Sequence, residues 1–255
     1  MVSAPYKLPP ALAGAPSPHR PLLEAAWGAL PYAPQPLEAD ILFLCFTNRC
    51  GSNYLAQLLA ATGAFNEAGE YFNAPTILEH TTRLGLTSLP AYVAALLGLL
   101  AHRGPLAMKA SPDQLALLTQ TGVLDAPGLR ARFLFIERTD KLAQAISRVI
   151  AAQTGQFWAH QPRLAEPAYN RAAIQAELAN IAYANALFHG FFAANGLAPI
   201  HVSYEEILKS PAALLARVGS AFGIALPAPD PARLTIQKQS TALNAAWQAR
   251  FLSGQ

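Results

Sequence analysis

Charge is scarce in this 255-residue chain: only 13% of residues are Asp, Glu, Lys or Arg, against 53% hydrophobic. That balance excludes an intrinsically disordered protein and points to a large core. The net charge of +3 comes from Lys and Arg scattered along the sequence. Nucleic-acid binding would need them gathered into a stripe, whereas a small anionic ligand needs only a few. Cysteine is nearly absent. Cys45 and Cys50 are the two present, and they form neither a CxxC pair nor a zinc-ligand set. Such usage suits a reduced, cytoplasmic chain. Long apolar runs are missing too. Residues 91–101, AYVAALLGLLA, fall short of the roughly 18 residues of a membrane span and read as a buried helix, so no transmembrane segment is expected. The N-terminus lacks the charged start and apolar core of a signal peptide. There is no HExxH, acidic cluster or Cys/His set at ligand spacing, and no metal is expected.

What is present is unevenly distributed. Residues 1–36 hold nine of the 21 prolines and read as a proline-rich, extended N-terminal arm rather than core. Residues 37–255 read as one domain, a size that single α/β domains reach. ILFLCF (41–46) is a continuous apolar run, as in a strand buried on both faces. PLAMKA (105–110), ARFLFIER (131–138) and PIHVSY (199–204) supply further strands. Helical patterns lie between them, at 52–62, 140–155 and 170–195, and SPAALLARVGSAFG follows the last strand. Strands separated by helices indicate a central parallel sheet flanked by helices on both faces.

The first strand runs into TNRCGSNYL, a polar knot followed at once by a helix with Ser52 as its expected N-cap. A loop between a buried strand and a helix N-terminus aims backbone N–H groups and the helix dipole at an anion. Gly51 permits close backbone approach, Ser52 adds a hydroxyl donor, and Arg49 a fork-shaped cation. The knot lacks both GxxxxGK[ST] and GxGxxG, which disfavours a Walker A nucleotidase loop and a dinucleotide fold.

These residues carry a resemblance. TNRCGSNYLAQLLAATG is similar to the 5′-phosphosulfate loop of bacterial sulfotransferases, usually written Arg-Ser-Gly-Ser-Thr-Leu-Leu, and most of all to that of the trehalose 2-sulfotransferase-like family. NEAGEYF (66–72) resembles that family's Glu-x-x-Glu-Tyr/Phe-Phe segment. ERTDKLAQAISRVIAAQTGQFW resembles its 3′-phosphate segment, and IHVSYEEILKSPAALLARV and RLTIQKQSTALNAAWQARF its closing segments. The motifs keep the family's order from about residue 41 to residue 251. The resemblance implies a P-loop-like sulfotransferase fold and a metal-independent enzyme. Its sulfuryl donor would be 3′-phosphoadenosine-5′-phosphosulfate (PAPS), and its acceptor a hydroxyl of a carbohydrate or glycolipid.

Carried over residue by residue, Arg49, Cys50, Gly51, Ser52 and Asn53 surround the 5′-phosphosulfate, while Arg138 and Ser147 hold the 3′-phosphate. Cys50 stands where serine is usual and Asn53 where threonine is common; a thiol donates weakly, so the main-chain N–H of Cys50 is the expected contact. Glu70 maps to the family's general base and Glu67 to a residue that orients acceptor hydroxyls, with Phe65, Tyr71 and Phe72 as an apolar wall. The rival base is a histidine, and His80, His102, His160, His189 and His201 are the candidates considered. Lys109 would face the same crevice, either to stabilise the leaving phosphate, to anchor the acceptor, or simply to form an ion pair. Arg233, Lys238 and Gln239 belong to a segment that would close over the site. Acceptor contacts are expected from variable loops at 73–105 and 156–169, the latter with Trp158, His160 and Arg163. A homodimer is possible through the proline-rich arm. Two other readings stand beside this one: a P-loop-type kinase, and a non-catalytic module that binds a phosphoadenosine nucleotide.

Overall fold

A computed structural model describes residues 5–30, 36–100, 104–157, 161–236 and 242–254. Four strands, β1 (Ala39–Phe46), β2 (Leu106–Ala110), β3 (Leu129–Glu137) and β4 (Ile200–Ser203), form one sheet in the order β2-β1-β3-β4. Every pairing is parallel, with Phe43 opposite Met108 on one side and Phe133 on the other. Successive side chains of a strand point to opposite faces, so a strand covered on both sides must be apolar throughout. β1 shows this directly. Ile41, Phe43 and Cys45 belong to one core cluster, and Leu42, Leu44 and Phe46 to the other.

The helices are α1 (Pro10–Ala13), α2 (Arg20–Trp27), α3 (Ser52–Ala61), α4 (Ala74–Leu84), α5 (Leu89–Leu99), α6 (Pro112–Gln120), α7 (Lys141–Thr154), α8 (Arg171–Ala194), α9 (Tyr204–Lys209), α10 (Pro211–Phe222) and α11 (Ala242–Leu252). Helices α2, α4, α5, α6 and α8 bury their apolar residues with the first cluster, including Phe188, Phe191 and Phe192 of α8. Helices α3, α9 and α10 cover the opposite face. A third cluster joins α7, α8 and α11 around Ile146, Ile181 and Trp247. The fold is therefore the expected α/β arrangement, a parallel sheet flanked by helices on both faces. No single helix among the described residues is long and apolar enough to cross a membrane.

Several helix starts follow from their caps. Asp140 and Asn170 accept from the third residue of α7 and α8, and Ser111 with Gln114 forms a capping box on α6. Two sequence expectations differ from the structure. The proline-rich segment contains α1 and α2, and Leu23 is fully buried in the first cluster. Residues 73–105, expected to be loop outside the buried helix at 91–101, contain α4 as well as α5, which matches that helix. The reason is shared: the prolines stand at the first or second positions of these helices, where the missing N–H costs nothing and the fixed φ suits the helix.

Candidate functional site

Strand β1 lies between β2 and β3, so the crossovers from β1 to β2 and from β2 to β3 run in opposite directions along the sheet, and open α/β sheets bind ligands in the crevice beyond the carboxyl ends of the strands at such a reversal. Residues 47–51 connect β1 to α3 at this point. The connection is built by a buried helix residue. Gln144 of α7, with no exposed surface, donates from Nε2 to Thr47 Oγ1 (2.9 Å) and to the Asn48 carbonyl (2.8 Å). The Cys50 N–H closes the turn on the Thr47 carbonyl at 3.2 Å.

Arg49 is the single non-glycine residue with positive φ (65°) among the described residues. That conformation costs roughly 1–2 kcal/mol for a residue with a Cβ, and two contacts hold it. Arg49 Nε donates to Ser147 Oγ at 3.0 Å, and Nη1 to the Phe157 carbonyl at 2.8 Å. Gly51 follows at φ 95°, and a Cβ there would lie 2.2 Å from Cδ2 of Tyr204. The chain passes so close under the tyrosine ring that only glycine fits. Gly51, not Ser52, is the N-cap of α3. Its φ lies where side chains rarely go, which moves the helix boundary one residue back from the one the serine suggests. Ser52 is buried as the first helical residue.

Arg138 leaves the end of β3 beside this loop. Its guanidinium is 5.8 Å from the centre of the Tyr204 ring, and its buried Nε has no hydrogen-bond partner among the described residues. The neighbouring carboxylates are committed elsewhere. Glu137 binds Lys141 (2.6 Å), His201 (2.9 Å) and Asn185 (2.9 Å), and Asp140 caps α7. Burial, and then the nearby guanidiniums of Arg138 and Arg148, lower the Arg49 pKa. Like charges are thus gathered where an anion would relieve them. Arg148, unlike Arg138, has a carboxylate in range, Glu177 at 3.9 Å.

A second group lies on the β2 side of α3. Lys109, 5% exposed, donates from Nζ to Asn53 Oδ1 (2.7 Å) and to Glu70 Oε1 (2.9 Å), with the Phe46 ring 4.6 Å away. Gln114 Nε2 donates to Glu70 Oε2 at 3.1 Å. The loop carrying Glu70 is fastened along β2 by its backbone. Asn66 donates to the Ala107 carbonyl and accepts from the Ala107 N–H, and the Lys109 N–H donates to the Gly69 carbonyl. Glu67 is exposed, and its main-chain carbonyl accepts from Tyr71 Oη at 2.9 Å. Phe65 and Phe72 are buried in the two cores rather than lining a wall, and Tyr71 is half-buried.

The structure thus brings Arg49, Ser147 and Arg138 together on one flank of the α3 N-terminus, and Asn53, Lys109 and Glu70 on the other. Cys50 is fully buried, burial pushes its thiol up to about 11, and its main-chain N–H, the contact expected from the sequence, is taken by the Thr47 carbonyl. Sequence reading passed over Gln144, Gln114, Tyr204 and His19. For Gln144 the signal was available: it lies three residues before Ser147 on the same helix face. His19 comes from the N-terminal segment and accepts at Nδ1 from the Ala74 N–H (3.4 Å). Burial lowers its pKa, against the opposing pull of Asp113 and Glu70. Of the other histidines, His189 and His201 face Glu137, and His80 packs near Tyr92. His102, Trp158, His160, Lys238 and Gln239 lie outside the described residues. Arg163 donates to Gln156 Oε1 (3.2 Å), and Arg233 is exposed. No group of three or more His, Cys, Asp or Glu is placed to hold a metal ion among the described residues.

Comparison with known proteins adds a family. Among solved structures, the chain is similar to the sulfotransferase domain from the curacin biosynthetic pathway (14% identity, 86% of this chain and 98% of that one, TM-score 0.49). It is also similar to the sulfotransferase domain from the Synechococcus PCC 7002 olefin synthase (14%, 88% and 98%, 0.47) and to a sulfotransferase from Alicyclobacillus acidocaldarius (16%, 85% and 96%, 0.45). No curated protein matches the chain. Residues 100–253 match the family model described as Stf0 sulphotransferase. The match covers β2, β3 and β4 together with Lys109, Arg138 and Ser147, while residues 49–53 and Glu70 precede it. Because it takes in well over half of the sequence, the chain belongs to the Stf0 sulphotransferase family.

Proposed function

We propose that this sulfotransferase is a cytoplasmic, PAPS-dependent enzyme that sulfates a hydroxyl of a carbohydrate or glycolipid, with Glu70 as general base. The observation that carries the reading is the pairing of two unlike groups across the N-terminus of α3. Arg49 and Arg138 lie on one flank and the Glu70 carboxylate on the other. One flank suits a doubly anionic nucleotide and the other a neutral hydroxyl that must lose a proton. The choice of a sugar acceptor rests on the resemblance of 66–72 to the trehalose 2-sulfotransferase-like segment. The reduced compartment accords with two free, buried cysteines.

The residues fit the implied donor. Arg138 has a buried Nε without a partner among the described residues, and the strained Arg49 backbone is held so that its guanidinium stays beside Arg138. PAPS, when bound, would supply an activated sulfuryl group and a phosphate leaving group. Arg49, the N–H groups of 51–53 and the α3 dipole would hold its 5′ end. Arg138 would hold the 3′-phosphate. Ser147 accepts from Arg49 and keeps its own O–H to donate to the same phosphate. On the far flank, Glu70 takes the proton of the acceptor hydroxyl as that oxygen attacks, and Glu67, three residues earlier and exposed, meets the other hydroxyls of the acceptor.

The test is Glu70→Gln, assayed by transfer of labelled sulfate from PAPS to a panel of sugars, with calorimetry of 3′-phosphoadenosine-5′-phosphate (PAP) alongside. Turnover should fall by about 10²–10⁴-fold with nucleotide affinity retained. Near-native turnover in the variant removes Glu70 as the base. Binding of ATP-magnesium in place of PAP would turn the reading toward a kinase.

A further inference from the structure

The ammonium of a lysine that is only 5% exposed is costly to bury unless its donors are satisfied. Lys109 is such a group, and everything it touches belongs to the site. Nζ reaches Glu70 Oε1 and Asn53 Oδ1, its remaining side faces the Phe46 ring, and its main-chain N–H holds Gly69, the residue before Glu70. The other oxygen of Glu70 is fixed independently. Gln114 commits its Oε1 to the Ser111 N–H in the α6 capping box, which leaves Nε2 to point at Glu70 Oε2. Both carboxylate oxygens are therefore held by donors from a strand end and a helix end. One of those donors also grips the first turn of α3 through Asn53. The Glu70 side chain nevertheless keeps 33% of its surface exposed.

We propose that Lys109 is a positioning residue for the reaction: it fixes the Glu70 carboxylate and locks it in register with the anion loop through Asn53. The inference rests on Glu70 being the base. Lys109 neither donates nor accepts the transferred proton. It sets where the accepting oxygen stands relative to the donor loop, and displacement by about 1 Å is enough to cost on the order of 10²-fold in rate.

The experiment compares Lys109→Met, Lys109→Arg, Glu70→Gln and the double variant Lys109→Met/Glu70→Gln, measuring kcat, KM for the acceptor and PAP affinity. Lys109→Met should lower kcat by about 10–10²-fold with acceptor KM and PAP affinity changed by less than about threefold. Lys109→Arg should recover much of the loss. In the double variant the effect of Lys109→Met should vanish, because interacting residues are non-additive. A full multiplicative loss in the double variant, or native kcat in Lys109→Met, overturns the proposal. If Lys109→Met does not fold, the same cycle run with Lys109→Gln, which keeps a donor but loses the charge, decides: its kcat deficit must disappear in the Glu70→Gln background, and native kcat in Lys109→Gln overturns the proposal. Native turnover in Glu70→Gln alone would instead bring down the base assignment, so the two failures are distinguishable.

Discussion

Replacing Gly51 by alanine sets two separable costs against each other. The residue sits at φ 95°, ψ 11°, which an L-residue adopts at a cost of about 1–2 kcal/mol. The added Cβ would also fall 2.2 Å from Tyr204 Cδ2 and 2.9 Å from Cε2, well inside the ~3.5–4 Å of ordinary carbon contact. The ring must move by more than an ångström, an overpacking cost of about 1–3 kcal/mol. The sum, about 2–5 kcal/mol, corresponds to a loss of roughly 5–15 °C in Tm for a domain of this size. Because the same ring faces Arg138, PAP binding should weaken as well. Thermal unfolding and calorimetry on Gly51→Ala and on Gly51→Ala/Tyr204→Ala separate the two contributions. Measured against Tyr204→Ala alone, the double variant should retain only the backbone cost of about 1–2 kcal/mol. A Gly51→Ala protein with native Tm and native PAP affinity would refute the close-approach argument.

Arg138→Ala should reduce PAP affinity by about 10–10²-fold while leaving Tm unchanged or slightly raised, since it removes a like charge from Arg49 and breaks no ion pair among the described residues; calorimetry and thermal unfolding read both, and a lower Tm with unchanged affinity would contradict it. Asp40 gives a pH signature: hydrogen bonding from Arg130, ahead of that from Arg132, holds its carboxyl down at about 2 against the opposing effect of partial burial. Its folded pKa is below the unfolded value of about 3.9, so its contribution is complete above that value and is lost as pH falls toward 2. The urea midpoints of the native protein and Asp40→Asn should therefore differ at pH 6 and converge between pH 4 and 2; a constant gap would contradict the assignment.

The sheet was legible because burial on both faces demands uninterrupted apolar residues, and ILFLCF and ARFLFIER have few other uses. The loop and its two arginines were legible for a related reason. A strand–loop–helix junction is a local device, its parts within a few residues or at the ends of recognisable strands. What stayed hidden depended on packing. Lys109 and Glu70 are 39 residues apart and meet only because β2 pairs beside β1. Tyr204 lies 153 residues from Gly51, yet it dictates that glycine. The proline-rich segment misled because proline reads as a breaker, although at the start of a helix it is neutral. Only Leu23 in its core pocket reveals which case holds here.

Strand β2 ends the sheet, and an open parallel edge is a template for another chain's backbone. The carboxylate-bearing loop occupies that edge. Asn66 satisfies both main-chain groups of Ala107, and the Gly69 carbonyl takes the Lys109 N–H. One short stretch therefore covers the open edge and carries Glu70. An insertion between 66 and 70 would uncover the edge and displace the Glu70 carboxylate together. The strand edge and the carboxylate are held by the same few hydrogen bonds, so neither can move without the other.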